Sequence, residues 1–156
     1  MNLSRVTIKN NKAKWGGGIY NCANLTMEDS IIASNTATRN CGGIKNTWYA
    51  YTKLSKVVVK DNKAKEENGG IGIYADSTVV IEDCSIIDNV AGNDGGGISI
   101  GARGILYLYR SVITGNTAKN GGGIMNNNTA YIDDFSISNM ISNNPNNFAG
   151  NPHIPA

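Results

Sequence analysis

Apolar and polar residues alternate along this chain in short bursts, and the bursts recur. With Asn11, Asn35, Asn62, Asn89, Asn116 and Asn143 as anchors, the steps are 24, 27, 27, 27 and 27 residues. Three positions before the anchor stand Ile8, Ile32, Val59, Ile86, Ile113 and Met140. Five before it stand Val6, Ser30, Val57, Cys84, Ser111 and Ser138, all small or β-branched. Eight before it stand Leu3, Met27, Leu54, Ile81, Leu108 and Phe135, and two after it Ala13, Ala37, Ala64, Ala91, Ala118 and Pro145. The residues in between, such as Thr7, Lys9, Lys60 and Thr114, are mostly polar. Period two over a few residues predicts a half-buried strand.

A second block follows each anchor: Gly16-Gly17-Gly18-Ile19, Gly42-Gly43-Ile44, Gly69-Gly70-Ile71, Gly95-Gly96-Gly97-Ile98 and Gly121-Gly122-Gly123-Ile124. Glycine doublets reach backbone conformations closed to other residues, so they predict a sharp corner. The isoleucine after the corner returns to the core. One coil is therefore strand, Asn-x-Ala turn, Gly-Gly corner, strand and turn.

A single such coil cannot bury its own apolar face, whereas stacked coils bury it and pair every strand with the coils above and below. The predicted fold is all-β: a single-stranded right-handed parallel β-helix (β-solenoid) of about six coils with a period of about 27 residues. At ~4.8 Å per coil it makes a rod of about 29 Å. The asparagines are expected to stack as a hydrogen-bonded ladder. Coils are expected over residues 1–145, with a tail or cap over 146–156, in one domain that forms part of a longer solenoid. The string from Leu3 to Ala13 also fits a leucine-rich repeat. The second half of the repeat opposes that reading, because its Gly- and Asn-rich return would cost a helix about 1 kcal/mol per glycine.

The combination of apolar-x-x-Asn with Gly-Gly-x-Ile resembles the chlamydial polymorphic outer-membrane-protein repeat, with its Phe-x-x-Asn and Gly-Gly-Ala-Ile signatures. Here the first signature reads IKNN, IASN, VKDN, IIDN, ITGN and MISN, and the second GGGI or GGI. With Ile, Val or Met for Phe, and Gly for Ala, the repeat is more similar to those of large adhesin-like surface proteins. The resemblance implies an extracellular or cell-surface β-solenoid module, non-catalytic, serving as a rigid spacer and adhesion or binding surface. The autotransporter barrel of the chlamydial proteins has no counterpart, so membrane insertion is not implied.

Composition narrows the partners. Charged residues are 17% of the chain and net charge is +2, too little to imply nucleic acid or an anionic membrane. No run of 18 apolar residues occurs, and the polar, strand-like start MNLSRVTIKN is not a signal peptide. Three cysteines imply no disulfide framework. The expected partners are a carbohydrate or a protein, with further coils or self-association at the amino-terminal end, where Met1 already belongs to the first core column.

β-Helices also carry polysaccharide lyases, glycoside hydrolases and tailspikes, so the alternative is a carbohydrate-active fragment. Glycosidic chemistry needs two carboxylates at a set separation. Asp61 and Asp88, each just before its anchor on consecutive coils, are the best pair, but aspartate there chiefly suits a turn beside the asparagine ladder, with a cation site as the lesser alternative. Asp133 and Asp134 are adjacent and would point to opposite faces of a strand. His153, the only histidine, has no partner near it in sequence. Cys22, Cys41 and Cys84 lack metal-ligand spacing. Trp15, Trp48, Tyr49, Tyr51, Tyr107 and Tyr109 could stack on sugar rings or simply cover corners. No catalytic, metal or cofactor residue is assigned. Six before each anchor stand Arg5, Asp29, Lys56, Asp83 and Arg110, then Ile137; the alternating sign predicts a cross-coil charge ladder that fixes register.

Overall fold

A computed structural model describes all residues, 1–156. The chain is a parallel β-solenoid of about six turns with four faces, each face a parallel sheet. The first sheet contains Asn2–Ser4, Asn24–Glu28, Tyr51–Ser55, Thr78–Glu82, Ile105–Tyr109, Thr129–Ile132 and Ile154–Pro155. The second contains Thr7–Lys9, Ile31–Ala33, Val58–Lys60, Ser85–Ile87, Val112–Thr114 and Met140–Ile141. The short third sheet contains Lys12–Ala13, Thr36–Ala37, Lys63–Ala64 and Val90–Ala91. The fourth contains Ile19–Asn21, Ile44–Asn46, Ile71–Ile73, Ile98–Ile100, Ile124–Asn126 and Phe148–Gly150. The 27-residue period is literal in the register: Val59 stands beside Ile86, and Ile86 beside Ile113. Residues 148–155 add strands to the fourth and first sheets, so the tail is itself stacked. The return half of the coil is strand and turn, not helix, which removes the leucine-rich-repeat alternative.

Three columns of single left-handed residues turn the chain between sheets. The first is Arg5, Asp29, Lys56, Asp83 and Arg110; the second is Asn10, Ser34, Asp61, Asp88, Gly115 and Ser142; the third is Gly16, Cys41, Asn68, Gly95 and Gly121. The third column corrects the expectation for the glycine corners. The left-handed residue is the one before each doublet, and Cys41 (φ 66°) and Asn68 (φ 61°) fill that place without glycine. The doublets are needed for close approach instead. A Cβ on Gly43 would lie 2.5 Å from the Gly70 carbonyl oxygen, and one on Gly70 would lie 2.5 Å from that of Gly97.

One apolar core runs the length of the stack, built from Met27, Leu54, Ile81 and Leu108 of the first sheet, Ile32, Val59, Ile86 and Ile113 of the second, and Ile44, Ile71, Ile98 and Ile124 of the fourth. The last coil departs from the expected columns. Ile132, not Phe135, stands beside Leu108 and is buried, while Phe135 is half exposed in the short helix Asp134–Ser138. Ser136 takes the place expected for Ser138, because its hydroxyl receives the Ser111 N–H. The strand step there is only 24 residues, and the helix supplies the slack that restores the 27-residue step between Ile113 and Met140.

The asparagine ladder is continuous. Each Oδ1 accepts the backbone and side-chain N–H of the preceding anchor, from Asn11 to Asn35, Asn62, Asn89, Asn116 and Asn143. Asn147 extends it by receiving both donors of Asn143. A second ladder lies in the column that the sequence presents merely as small residues. Val6, Val57, Cys84 and Ser111 donate their N–H to Ser30 Oγ, Cys84 Sγ, Ser111 Oγ and Ser136 Oγ.

Candidate functional site

The one groove on the surface lies over the third sheet. It measures about 520 Å³ and is lined by Lys12, Thr36, Ala37, Thr38, Lys63, Ala64, Lys65, Val90 and Gly92. Its lining follows from the period-two pattern around the anchor. Asparagine and alanine turn inward, so the residues on either side of the alanine turn out. Lys12, Thr36, Lys63 and Val90 form one outer column in register. Thr38, Lys65 and Gly92 form the next, one strand residue beyond the buried alanines.

The groove is cationic and its charges are unpaired. The five ion pairs of the chain are Arg39–Glu66, Lys53–Glu82, Lys60–Asp61, Arg103–Asp76 and Arg110–Asp83, and none involves Lys12, Lys63 or Lys65. The nearest acids in sequence are engaged elsewhere: Glu66 by Arg39, Asp61 by Lys60, and Glu67 by the Tyr74 hydroxyl.

The candidate residues of the sequence fall elsewhere. Asp61 and Asp88 sit in the second left-handed column with Asn10, Ser34, Gly115 and Ser142, a turn position. The Asp88 carboxylate lies over the bare Cα of Gly115, and no group of three or more His, Cys, Asp or Glu side chains could hold a metal ion. Asp133 caps the short helix. Its Oδ1 accepts the Ser136 N–H at 2.8 Å and its Oδ2 the Arg110 N–H at 2.9 Å. Partial burial works to raise its pKa, but these bonds and the Arg110 charge outweigh it and hold the carboxyl below the ordinary range. Asp134 stands in the first turn of the same helix. His153 packs edge-on against Phe148, with ring centroids 5.8 Å apart.

The cysteines are free: Cys22 is exposed, and Cys41 and Cys84 are buried. Burial pushes the Cys41 thiol up to about 12 and the Cys84 thiol up to about 11. Cys41 lies under a small polar cover on the fourth sheet, where Asn68 donates to its sulfur and to the Tyr74 hydroxyl. Burial also drives the Tyr74 phenol far above its ordinary value.

Tyr51, Tyr107 and Tyr109 face outward from the first sheet but stand two strands apart, and Trp15 lies on another face. Trp48 and Tyr49 are 65% and 78% exposed at the bend between the fourth and first sheets, both in left-handed backbone, with Tyr51 just beyond. Tyr107 stacks on Tyr131 at 4.8 Å, and Tyr109 is half-buried on the same outer face. Trp15 is at the opposite corner of the fourth sheet. There the Lys45 ammonium lies 5.4, 5.5 and 5.7 Å from the ring centroids of Trp15, Tyr20 and Tyr74. That aromatic cage is already filled by the chain's own lysine.

The outward charge column is in line, since neighbouring strands set Ser4 beside Glu28, Glu28 beside Ser55 and Ser55 beside Glu82. Only its last step closes as an ion pair: Arg110 binds Asp83 through two nitrogens at 2.8 and 2.9 Å. Arg5, Asp29 and Lys56 make no ion pair, because exposed side chains gain little by meeting. After Arg110 the series continues through Asp133, not Ile137, which packs against the core.

The lysine groove was missed by sequence reasoning. The signal was present as Lys12 and Lys63 in the x of Asn-x-Ala. It was obscured because Thr36 separates them and the two steps differ in length. No protein-family model matches the chain, and no curated protein and no solved structure shows significant similarity to it.

Proposed function

We propose that the chain is a non-catalytic β-solenoid module, acting as a rigid spacer that presents a lateral binding surface. The reading rests on the composition of the groove: three ammonium groups and two threonine hydroxyls, with no carboxylate or imidazole lining it to serve as base or to activate an amine or hydroxyl. Rigidity is supported by the two ladders, since every coil is tied to its neighbour by buried side-chain bonds as well as by strand pairing. The carboxylates that a lyase or hydrolase would use are occupied as turn residues, a helix cap and ion-pair partners.

Placement outside the cell or on its surface is part of the same proposal and rests on the resemblance of the repeat to adhesin-like solenoids. The amino-terminal edge is proposed as a junction with further coils or with a second copy. Asn11 donates twice to Asn35, but its own Oδ1 accepts nothing, unlike every mid-stack anchor. The side chain of Met1 is 64% exposed there, with only one coil against it.

The test is to incubate the protein with charged and neutral polysaccharides, following retention and chain length together. Retention with no new chain ends is expected. Steady release of new ends would replace the binding module by an enzyme.

A further inference from the structure

Resting on that reading, we infer that the groove over the third sheet binds a segment of anionic polysaccharide, its carboxylates or sulfates lying on Lys12, Lys63 and Lys65 and its hydroxyls on Thr36 and Thr38. The argument begins with the three lysines. A concave surface lined by one sign of charge focuses the field and concentrates counter-ions of the other sign. None of the three has a carboxylate partner within the chain, although every ion pair in the molecule is an available precedent for one. Solvent and salt screen their mutual repulsion in part, and an anionic ligand would relieve the rest.

Spacing favours a polymer over a small ion. Lys12 and Lys63 stand in one column two coils apart, roughly 10 Å at the backbone, and Lys65 is two strand residues from Lys63, roughly 7 Å. A single phosphate or sulfate would engage all three only with the flexible stems drawn together against their mutual repulsion. A chain bearing an acidic group on every second sugar has its charges at a comparable spacing. Lys14 and Lys119 stand in the column of Lys65 in the first and fifth coils, Lys14 lying over the Trp15 ring at 4.6 Å and Lys119 donating to Asn93 Oδ1.

The chemistry favours sugar over nucleic acid. Lysine is a strongly hydrated point charge on a flexible stem, suited to scattered carboxylates or sulfates, and the groove has no arginine fork for a phosphate. It also has no aromatic ring on which a base could stack. Between the lysine rows, Thr36 and Thr38 offer hydroxyls that both donate and accept, as sugar hydroxyls require.

Calorimetric titration tests this with four probes: heparin oligosaccharides, polygalacturonate oligomers, neutral dextran and a single-stranded oligonucleotide. Binding to at least one charged glycan is expected, weakening as salt rises. Lys63→Glu with Lys65→Glu should weaken it by at least about tenfold, as expected for reversing two contact charges. Lys9→Glu, a single reversal on the second sheet to be set against Lys63→Glu alone, should leave it unchanged. Should the double reversal fail to fold, Lys63→Gln with Lys65→Gln should weaken binding in the same direction. The inference is overturned by no binding to either charged glycan, by equal loss in Lys9→Glu, or by tighter binding of the oligonucleotide. Dextran bound as tightly as the charged glycans would overturn it while leaving a non-catalytic binding module intact. Release of chain ends would instead remove the module reading and leave the groove's ligand class standing.

Discussion

The side-chain oxygen of Asn89 accepts both the backbone and the side-chain N–H of Asn62, each at 3.0 Å, across the boundary between two coils. Its amide donates to the Val59 carbonyl at 2.9 Å and to Asn116 Oδ1 at 2.9 Å. Asn89→Leu would leave at least two buried donors without partners, at about 1–3 kcal/mol each. A loss of several kcal/mol is expected in denaturant or thermal unfolding. Asn11→Leu, at the exposed end of the same ladder, should cost less than about 1 kcal/mol. Equal losses at the two positions would mean that burial of the ladder does not govern its strength.

Two glycine substitutions separate close approach from backbone conformation. Gly70→Ala puts a methyl 2.5 Å from the Gly97 carbonyl oxygen, a backbone atom that can move only by opening the stack. A penalty of about 2 kcal/mol or more is expected from such overpacking. Gly115 has the left-handed φ of 68°, but Asn10, Ser34 and Ser142 already occupy that column. A side chain there would meet only the Asp88 carboxylate, the mobile end of a side chain. Gly115→Asn should therefore melt within a few degrees of wild type, since asparagine tolerates this conformation.

Titration of the thiols gives an alkaline limit. Burial raises Cys41 from 9.0 to about 12 and Cys84 from 9.0 to about 11, so the folded state favours the neutral thiol. That contribution is whole below the unfolded thiol value and is lost as pH rises through the folded values. Melting temperature should fall above about pH 9, and less so in Cys84→Ser. At about pH 8, a thiol reagent should label Cys22 quickly and the two buried thiols only on unfolding. Three equally fast thiols would contradict the burial.

The acid limit has the opposite sign. The pKa values of Asp83 and Asp133 are lowered, so their contributions are present above the ordinary carboxylate value and lost as pH falls through the lowered ones. Asp83 is exposed, and Asp83→Asn should change stability little. Asp133→Ala removes a helix cap and the partner of the Arg110 N–H, at a cost of about 1 kcal/mol at neutral pH. The gap between this variant and wild type should narrow as pH falls below the ordinary carboxylate range and the carboxylate itself is protonated. A gap that widened on acidification would reverse the assigned shift.

What could be read from the sequence is what repeats at a constant step. Ile32, Val59, Ile86 and Ile113 keep the 27-residue spacing, and so do the anchors, hence the coil, the core and the ladder were legible. Chemistry that varies within a column was not. Ser30, Cys84 and Ser111 look like small core residues, yet they accept N–H groups, because hydrogen bonding between coils depends on backbone approach. Asn21 and Asn46 form a buried pair with Thr52, but Ile73 and Ile100 fill the same column, so no pattern marks them. The groove was hidden for the same reason, Thr36 and Val90 interrupting the lysine column.

The last coil shows where constant spacing misleads, and it yields the sharpest test of register. A 27-residue step from Leu108 reaches Phe135, yet Ile132 occupies the core there at 1% exposure while Phe135 is 50% exposed. The difference has a local cause. Asp133 bonds the Ser136 N–H and starts a helix, so the three extra residues are taken up outside the core and not in the strand. The helix then returns the chain to the second sheet with Met140 beside Ile113. Ile132→Ala should cost about 2–5 kcal/mol, the range for truncating a buried aliphatic side chain. Phe135→Ser should stay within about 0.5 kcal/mol, as exposed substitutions do. The reverse order of the two losses would place Phe135 in the core and extend the uniform 27-residue register to the last coil.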